Sequence, residues 1–417
     1  MSEQTNYSYQ RQQMPDRLPE PPRGRGAWWR ENIQRGKLDV PFLLLTLLLL
    51  TVGLIMLFSA SYADAYYNSV GSEDGPNPTY YFSRQLRFAI VGVIAMLAVS
   101  FVPLKLVRSL RLPGIGMLIA VGFLLMVMVA GLGGNGAVRW ARIAGQNFQP
   151  SEIAKAAIVL FFANRIAREG NRMQKNSSMI WFLIVLAVVA YLLVKQPHLS
   201  AAIIILLLGA LMMFAGGTRW YWFAIAAVAA AVALILIQKN AEAIIRFLDG
   251  LPESDVKYQA KRISAWLNPE AKKLDGGWQI LQSLYAIGSG GLLGLGLGNS
   301  RQKYMYLPEE QNDYIFPIIC EELGFIGAAL ILLLFALLIL RGFWLAMRCR
   351  DRFEKMVLIG YTGLLAIQVF LNVGVVTNML PSTGISLPFF SYGGTALLVQ
   401  MGEIGLILSA SRSIQDK

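Results

Sequence analysis

The chain has 417 residues, 55% of them hydrophobic and 15% charged, with a formal net charge of +12. That balance excludes a soluble globular protein of this length, and apolar runs near ~20 residues match the ~30 Å hydrocarbon core of a bilayer. Segments of about ten alternating residues, the mark of a β-barrel, are missing, so the fold class is all-α, a polytopic membrane protein.

The positive charge points to membrane topology and anionic head groups, not to nucleic acid. A single histidine, His198, excludes a His-cluster metal site. Residues 1–38 are polar, rich in Pro, Gln and Arg, and read as a disordered cytosolic tail. No cleavable signal peptide is read: the first apolar run starts near residue 40, is long, and lacks a small-residue cleavage site.

Residues 39–412 read as one membrane domain with ten predicted spans. They run over 40–61, 86–103, 112–132, 153–169, 179–194, 199–216, 219–238, 313–341, 356–378 and 390–411. The basic stretches 105–111, 165–175 and 341–355 fall on the same side as the basic tail, so positive-inside puts both termini, including 413–417, in the cytosol. The segment 239–311 then becomes one long extracellular loop. It is basic, but loops beyond ~60 residues largely escape the charge rule. Within it, 241–251 and 255–269 look amphipathic and suit the interfacial plane. The Gly-rich stretch 277–300 reads as a re-entrant or cavity-lining segment, because irregular backbone at membrane depth must be buried in protein or line a cavity. Cys320 falls in a span and Cys349 in a basic loop on the other side, which excludes a disulfide. No internal repeat or paired broken helices suggest an inverted-repeat transporter.

Polar groups collect at the outer ends of the spans. Arg139, Trp140 and Arg142 precede Gln149, Ser151, Glu152 and Lys155; Lys195, Gln196 and His198 follow at the next outer turn, and Ser391 opens the last span. Glu309, Glu310 and Asp313 crowd the mouth of span eight, with Glu321 and Glu322 two turns deeper, suited to locking that span to its partners. Carboxylates at membrane depth usually face a cavity or a partner. Asp313 reads either as a reactive group or as a helix N-cap. Glu152 and Lys155, three apart on one face, can serve a cavity or simply pair. His198 suits a hydrogen-bonded structural role as well as a chemical one, and Trp140 an interfacial anchor. Cations beside a carboxylate suit a lipid-linked anionic substrate. Arg and Lys hold phosphate, and a carboxylate can act as general base.

The stretches GAVRWARI, FQPSEIAK, KQPHLS, RISAWLNP, GGWQILQSLYAIGSGGLLGLGLGNSRQKYMYLPEEQNDYIFPIICEELGFIG and NVGVVTNMLPSTGISLPFFSYGG, in this order, resemble the SEDS family (shape, elongation, division, sporulation) over about 40–410. The last stretch is closer in look to the FtsW and SpoVE branch than to RodA. The resemblance implies a ten-span peptidoglycan glycosyltransferase that polymerises lipid II at the outer face of the bacterial plasma membrane. Asp313 matches the family's essential acid, Glu152 and Lys155 its cavity acid and base, and Arg139 and Trp140 its Arg-Trp pair. It also implies a class B penicillin-binding protein, a transpeptidase, as partner among other division or elongation complex proteins. The chain departs from the family pattern at His198 and Ser200, where Asp and Gly are usual, and at Gln311 and Asn312, where His and Thr are usual. The first change puts a metal role there in doubt.

The expectation is an inverting glycosyltransferase with Asp313 as general base. Arg139, Trp140, Arg142, Glu152, Lys155, Lys195, His198, Glu309 and Ser391 form its substrate-binding set. Mg²⁺ or Mn²⁺ is an optional aid on the diphosphate, and no organic cofactor is implied. The rivals are a flippase for the lipid-linked precursor and a scaffold that recruits the transpeptidase.

Overall fold

The structure, a computed structural model, describes residues 36–70, 75–130, 132–134, 137–143, 146–240, 255–271 and 276–415. The expected tail lies outside these residues apart from its last three, and so does the amphipathic stretch 241–251.

Thirteen α-helices are described. They are α1 (Val40–Ser69), α2 (Tyr80–Ser100), α3 (Leu104–Ser109), α4 (Leu112–Ala130), α5 (Pro150–Glu169), α6 (Asn176–Lys195), α7 (Leu199–Ala215), α8 (Trp220–Lys239), α9 (Asp255–Leu267), α10 (Gly277–Ser289), α11 (Ile315–Arg348), α12 (Arg352–Val376) and α13 (Gly394–Gln415). Every predicted span is a helix. Seven of them (α1, α2, α4, α6, α11, α12 and α13) are long and apolar enough to cross a membrane. Of the other three, α7 has only 17 residues and α5 carries Glu152, Lys155, Arg165, Arg168 and Glu169. A small antiparallel sheet departs from the all-helical expectation. Its strands β1 (Leu132–Gly134), β2 (Ala137–Ile143) and β3 (Gln146–Phe148) are ordered β1-β2-β3 between α4 and α5.

Local chemistry sets the helix starts. Asp39 caps α1 by accepting from Phe42 N at 3.0 Å, with Pro41 in the first turn. The same carboxylate is fully buried and takes two bonds from the Arg341 guanidinium, at 3.0 and 2.6 Å. That bidentate pair fastens the start of α1 to the far half of α11. Asp351 caps α12 by accepting from Glu354 N at 2.9 Å. Helix α12 is the axis of the bundle. It packs on α5, α7, α11 and α13, and 67% of its apolar window is buried, against 22–50% for the other six long apolar helices.

Helix α11 is broken at Gly324, whose φ of 68° few other residues adopt. The residues after α10 fill the break. Phe325 N and Ile326 N, which would bond Glu321 and Glu322 in an unbroken helix, donate instead to Gly291 O and Leu292 O, at 2.9 and 3.2 Å. Leu295 N and Gly296 N donate to the freed carbonyls of Glu321 and Glu322, at 2.9 and 3.0 Å. The irregular backbone of the Gly-rich stretch thus finds hydrogen bonds against α11, while its residues 291–293 and 297–299 are exposed. The side chains below the break are fixed too. Glu322 accepts from Lys303 Nζ at 2.9 Å and from Ser59 Oγ of α1 at 2.7 Å, and Glu321 accepts from Ser289, Ser300, Arg301 N and Gln302 N. The two acids lock span eight to α1 and to the loop, as their depth suggested. Both cysteines are free and buried.

Candidate active site

At the end of the bundle where α1 finishes and α5, α7 and α11 begin, the fold encloses a cavity of about 600 Å³. Sites for small organic ligands span about 300–1,000 Å³.

One wall comes from the start of α5. Pro150 opens that helix and sets Glu152 and Lys155 one turn apart, with Lys155 Nζ 2.8 Å from Glu152 Oε2. Lys155 is 4% exposed and Glu152 18%, so the ammonium is the deeper member. Beside them Gln149 Nε2 and His198 Nε2 lie 3.3 Å apart. His198 is the N-cap residue of α7 but makes no side-chain cap bond.

The opposite wall is the loop before α11. Asn312 N and Tyr314 N both donate to Glu309 O, at 3.0 and 3.3 Å, curling the chain so that Glu309, Asn312 and Asp313 line the cavity. The N-cap position of α11 belongs to Tyr314, one residue after Asp313, and carries no side-chain cap bond. Its backbone is held instead: Asn372 Nδ2 of α12 donates to Asp313 O at 2.9 Å and to Ile385 O at 2.6 Å. Tyr314 OH lies 3.1 Å from Ser382 Oγ.

The carboxylate itself rests on Gly384. A Cβ at that glycine, whose φ is +65°, would lie 2.8 Å from Asp313 Oδ2 and 3.8 Å from Arg262 Nη1, so acid and guanidinium flank one residue. Arg262, on α9, also donates to Ser382 O at 3.2 Å.

The approach to α13 closes the cavity. Buried Gln85 of α2 holds it at two points, donating to Ser391 O at 3.2 Å and accepting from Gly393 N at 3.1 Å. Tyr392 N donates to Gln311 O at 2.8 Å, which ties this wall to the Asp313 loop. Three cations (Arg84, Lys155 and Arg262) thus share the cavity with three carboxylates (Glu152, Glu309 and Asp313). Among the described residues no three His, Cys, Asp or Glu side chains gather as a metal-ligand group.

The family described as "Cell cycle protein", which groups FtsW, RodA and SpoVE, matches residues 40–416. The chain belongs to this family. It is 38% identical to stage V sporulation protein E of Bacillus subtilis, over 90% of this chain and 97% of that one. It is 34% identical to the probable peptidoglycan glycosyltransferase FtsW of Trichlorobacter lovleyi, over 93% and 96%. Among solved structures it resembles a chain from work on the structural coordination of polymerization and crosslinking by a peptidoglycan synthase complex. That match has a TM-score of 0.69, 25% identity, and covers 90% of this chain and 98% of that one. The rod shape determining protein RodA of Thermus thermophilus matches with a TM-score of 0.62 at 25% identity, covering 90% and 97%.

In this FtsW/RodA/SpoVE-family chain, the cavity gathers Asp313, Trp140, Glu152, Lys155, His198 and Glu309 from the sequence-derived set. Arg139 and Arg142 lie on β2 to either side of Trp140, and their side chains are outside the described part. Lys195 is not in the cavity. It is exposed, 5.8 Å from the centre of the Tyr191 ring, because its neighbour Gln196 takes the inward direction and bonds Leu124 O at 2.8 Å. Ser391 lines only a recess of about 40 Å³ beneath the cavity, and its Oγ accepts from Leu387 N at 2.7 Å. Sequence reasoning missed Arg84, Arg262, Gln279 and Ser382. Arg84 carried a usable signal, an arginine at the outer mouth of a span where positive-inside disfavours it.

Proposed function

We infer that this chain is a peptidoglycan glycosyltransferase that polymerises lipid II at the outer face of the bacterial plasma membrane, in division or in a sporulation or elongation counterpart. The observation that carries the reading is the carboxylate of Asp313 beside Arg262 in a cavity that also holds Arg84 and Lys155. Asp313 acts as general base on the 4-hydroxyl of the acceptor's GlcNAc. The oxygen attacks the anomeric carbon of the lipid-bearing MurNAc with inversion, and the proton passes to Asp313. The bond from that carbon to the diphosphate breaks, and its electron pair leaves with undecaprenyl diphosphate. Arg84, Arg262 and Lys155 offset the charge on the leaving group. A diphosphate leaves readily, so a second carboxylic acid is not required, unlike in glycoside hydrolysis. The described residues form no metal-ligand group, and no step is routed through Mg²⁺ or Mn²⁺.

The recess under the cavity supports transfer over transport. Lined by Gln400 and Glu403, it has room for a few waters at most, far too little for a sugar diphosphate. The class B penicillin-binding protein implied by the family resemblance is the proposed cross-linking partner, and the likeness to a chain of a peptidoglycan synthase complex that coordinates polymerization and crosslinking supports it. The test is purified chain in liposomes with labelled lipid II and that partner. Glycan strands formed on the side where lipid II is supplied support the reading. Movement of lipid II across the bilayer with no polymer made would replace it with the flippase.

A further inference from the structure

We propose that the rim of the cavity where α2 begins is a saccharide subsite, with the Tyr80 ring as the platform on which the glycan strand rests as it leaves the site. The proposal rests on the glycosyltransferase reading for its strand-length test and on geometry alone for its binding test.

The rim is built outward from the cavity. Tyr392 lines the cavity and meets the Tyr81 ring edge to face, with centroids 4.9 Å apart. Tyr81 in turn meets Tyr80, the first residue of α2, at 5.2 Å in the same manner. Arg84 closes the group one helical turn on. Its guanidinium lines the cavity, donates to the Tyr80 hydroxyl at 3.2 Å and lies beside the Tyr392 hydroxyl. Three rings thus run from the cavity wall to the surface, tied to the cavity by one cation. Tyr392 and Tyr81 are half-buried, but Tyr80 at the outer end is 47% exposed. The end of α1 supplies the other side of the rim. Asp64 stands beside the Tyr81 hydroxyl and accepts from Gln311 Nε2 at 3.3 Å, two residues before the reacting Asp313.

The length of α1 sets the level of this rim. Its 30 residues reach ~45 Å, against ~30 Å of hydrocarbon. The basic Lys37 and the Arg341 bound to Asp39 keep its start at the inner head groups, so the surplus falls at the cavity end. Asp64 is about 36 Å along the helix, and the rings beside it stand clear of the acyl chains. A lipid tail is therefore not the occupant. The chemistry favours a sugar. In a β-1,4-linked strand of GlcNAc and MurNAc the ring substituents are equatorial, so each face of the sugar presents axial C–H bonds. The face of a tyrosine ring is partly negative and attracts them. Asp64, Arg84 and Gln311 place acceptors and donors at the ring edges for hydroxyl and acetamido groups. An enzyme that lengthens one strand must keep hold of it between additions, and a platform beyond the reacting sugars supplies that hold.

The experiment compares wild type, Tyr80→Ala, Tyr80→Phe and Tyr191→Ala. Tyr191 is an exposed tyrosine near the outer end of α6 that does not line the cavity, so it controls for aromatic anchoring at the interface. The first measurement titrates a soluble GlcNAc–MurNAc tetrasaccharide onto purified protein in detergent, followed by NMR of the sugar. Tyr80→Ala should bind it about three- to tenfold more weakly than wild type. Tyr80→Phe, which keeps the ring and loses only the Arg84 bond, recovers most of the affinity. Absence of binding by the wild type, or equal binding by Tyr80→Ala, overturns the proposal. The second measurement is mean strand length at matched lipid II consumption. Length follows the ratio of addition to release, so Tyr80→Ala strands should shorten by about the same factor while Tyr191→Ala strands do not. Equal lengths in Tyr80→Ala and wild type, or a shortening shared by Tyr191→Ala, overturn it. If the wild type makes no polymer, the glycosyltransferase reading fails instead, and the tetrasaccharide titration alone decides the subsite.

Discussion

Gly384→Ala tests how closely the fold controls Asp313. The added methyl would sit 2.8 Å from Asp313 Oδ2, where ordinary contact begins near 3.4 Å. The carboxylate must therefore retreat by about 0.6 Å or rotate, either of which changes where its lone pairs point. The residue also has φ +65°, and the left-handed region costs alanine roughly 1–2 kcal/mol. A misplacement of ~1 Å can lower a rate about 10²-fold, so a loss of roughly 10- to 100-fold in kcat is expected. The assay is polymerisation of labelled lipid II by purified protein in liposomes, with thermal unfolding in detergent alongside. Gly402→Ala is the control, because a methyl there meets nothing within 4 Å and the backbone is helical. A folded Gly384→Ala protein working at the wild-type rate would refute the claim that Asp313 must sit where this wall holds it.

Lys303→Met should destabilise the protein by about 3–5 kcal/mol, because it strands the fully buried Glu322 without its cation; chemical unfolding in detergent reads this. Gly324→Ala should also cost about 3 kcal/mol or more, since its methyl would lie 2.3 Å from Gly294 N and backbone cannot yield as a side chain can; loss of monodisperse protein on extraction reports it. Lys195→Ala should leave polymerisation within about twofold, since the side chain is exposed and outside the cavity; a large loss would put that lysine back in the site.

The bundle was legible because hydrocarbon imposes a length and a composition on each span, and all ten apolar runs became helices. Whether all ten cross is harder to read. Helix α5 trades apolar residues for Glu152 and Lys155, the same exchange that builds the cavity wall. Glu152, Lys155 and Asp313 were legible since charge at membrane depth is rare. Arg262 was not. It sits in an amphipathic stretch that looks suited to the membrane surface, and only packing of α9 over Ser382 turns it inward. The small sheet was missed because β2 has seven residues, too few for alternation to stand out from a loop. The break in α11 had a faint signal, two adjacent acids followed by a glycine in an apolar run. Its partner, the stretch after α10, could be matched to it only in three dimensions. Capping was a reasonable reading of Asp313 from spacing alone, but α11 starts one residue later, at a Tyr314 that offers no cap.

The most direct measurement is the polymerisation rate of Asp313→Asn, made together with lipid II binding to the same protein. The amide keeps the shape of the carboxylate and removes its basicity. A general base contributes about 10²- to 10⁴-fold, so kcat should fall by that factor while binding of labelled lipid II is retained. Glycan synthesis by folded Asp313→Asn at the wild-type rate would contradict the account.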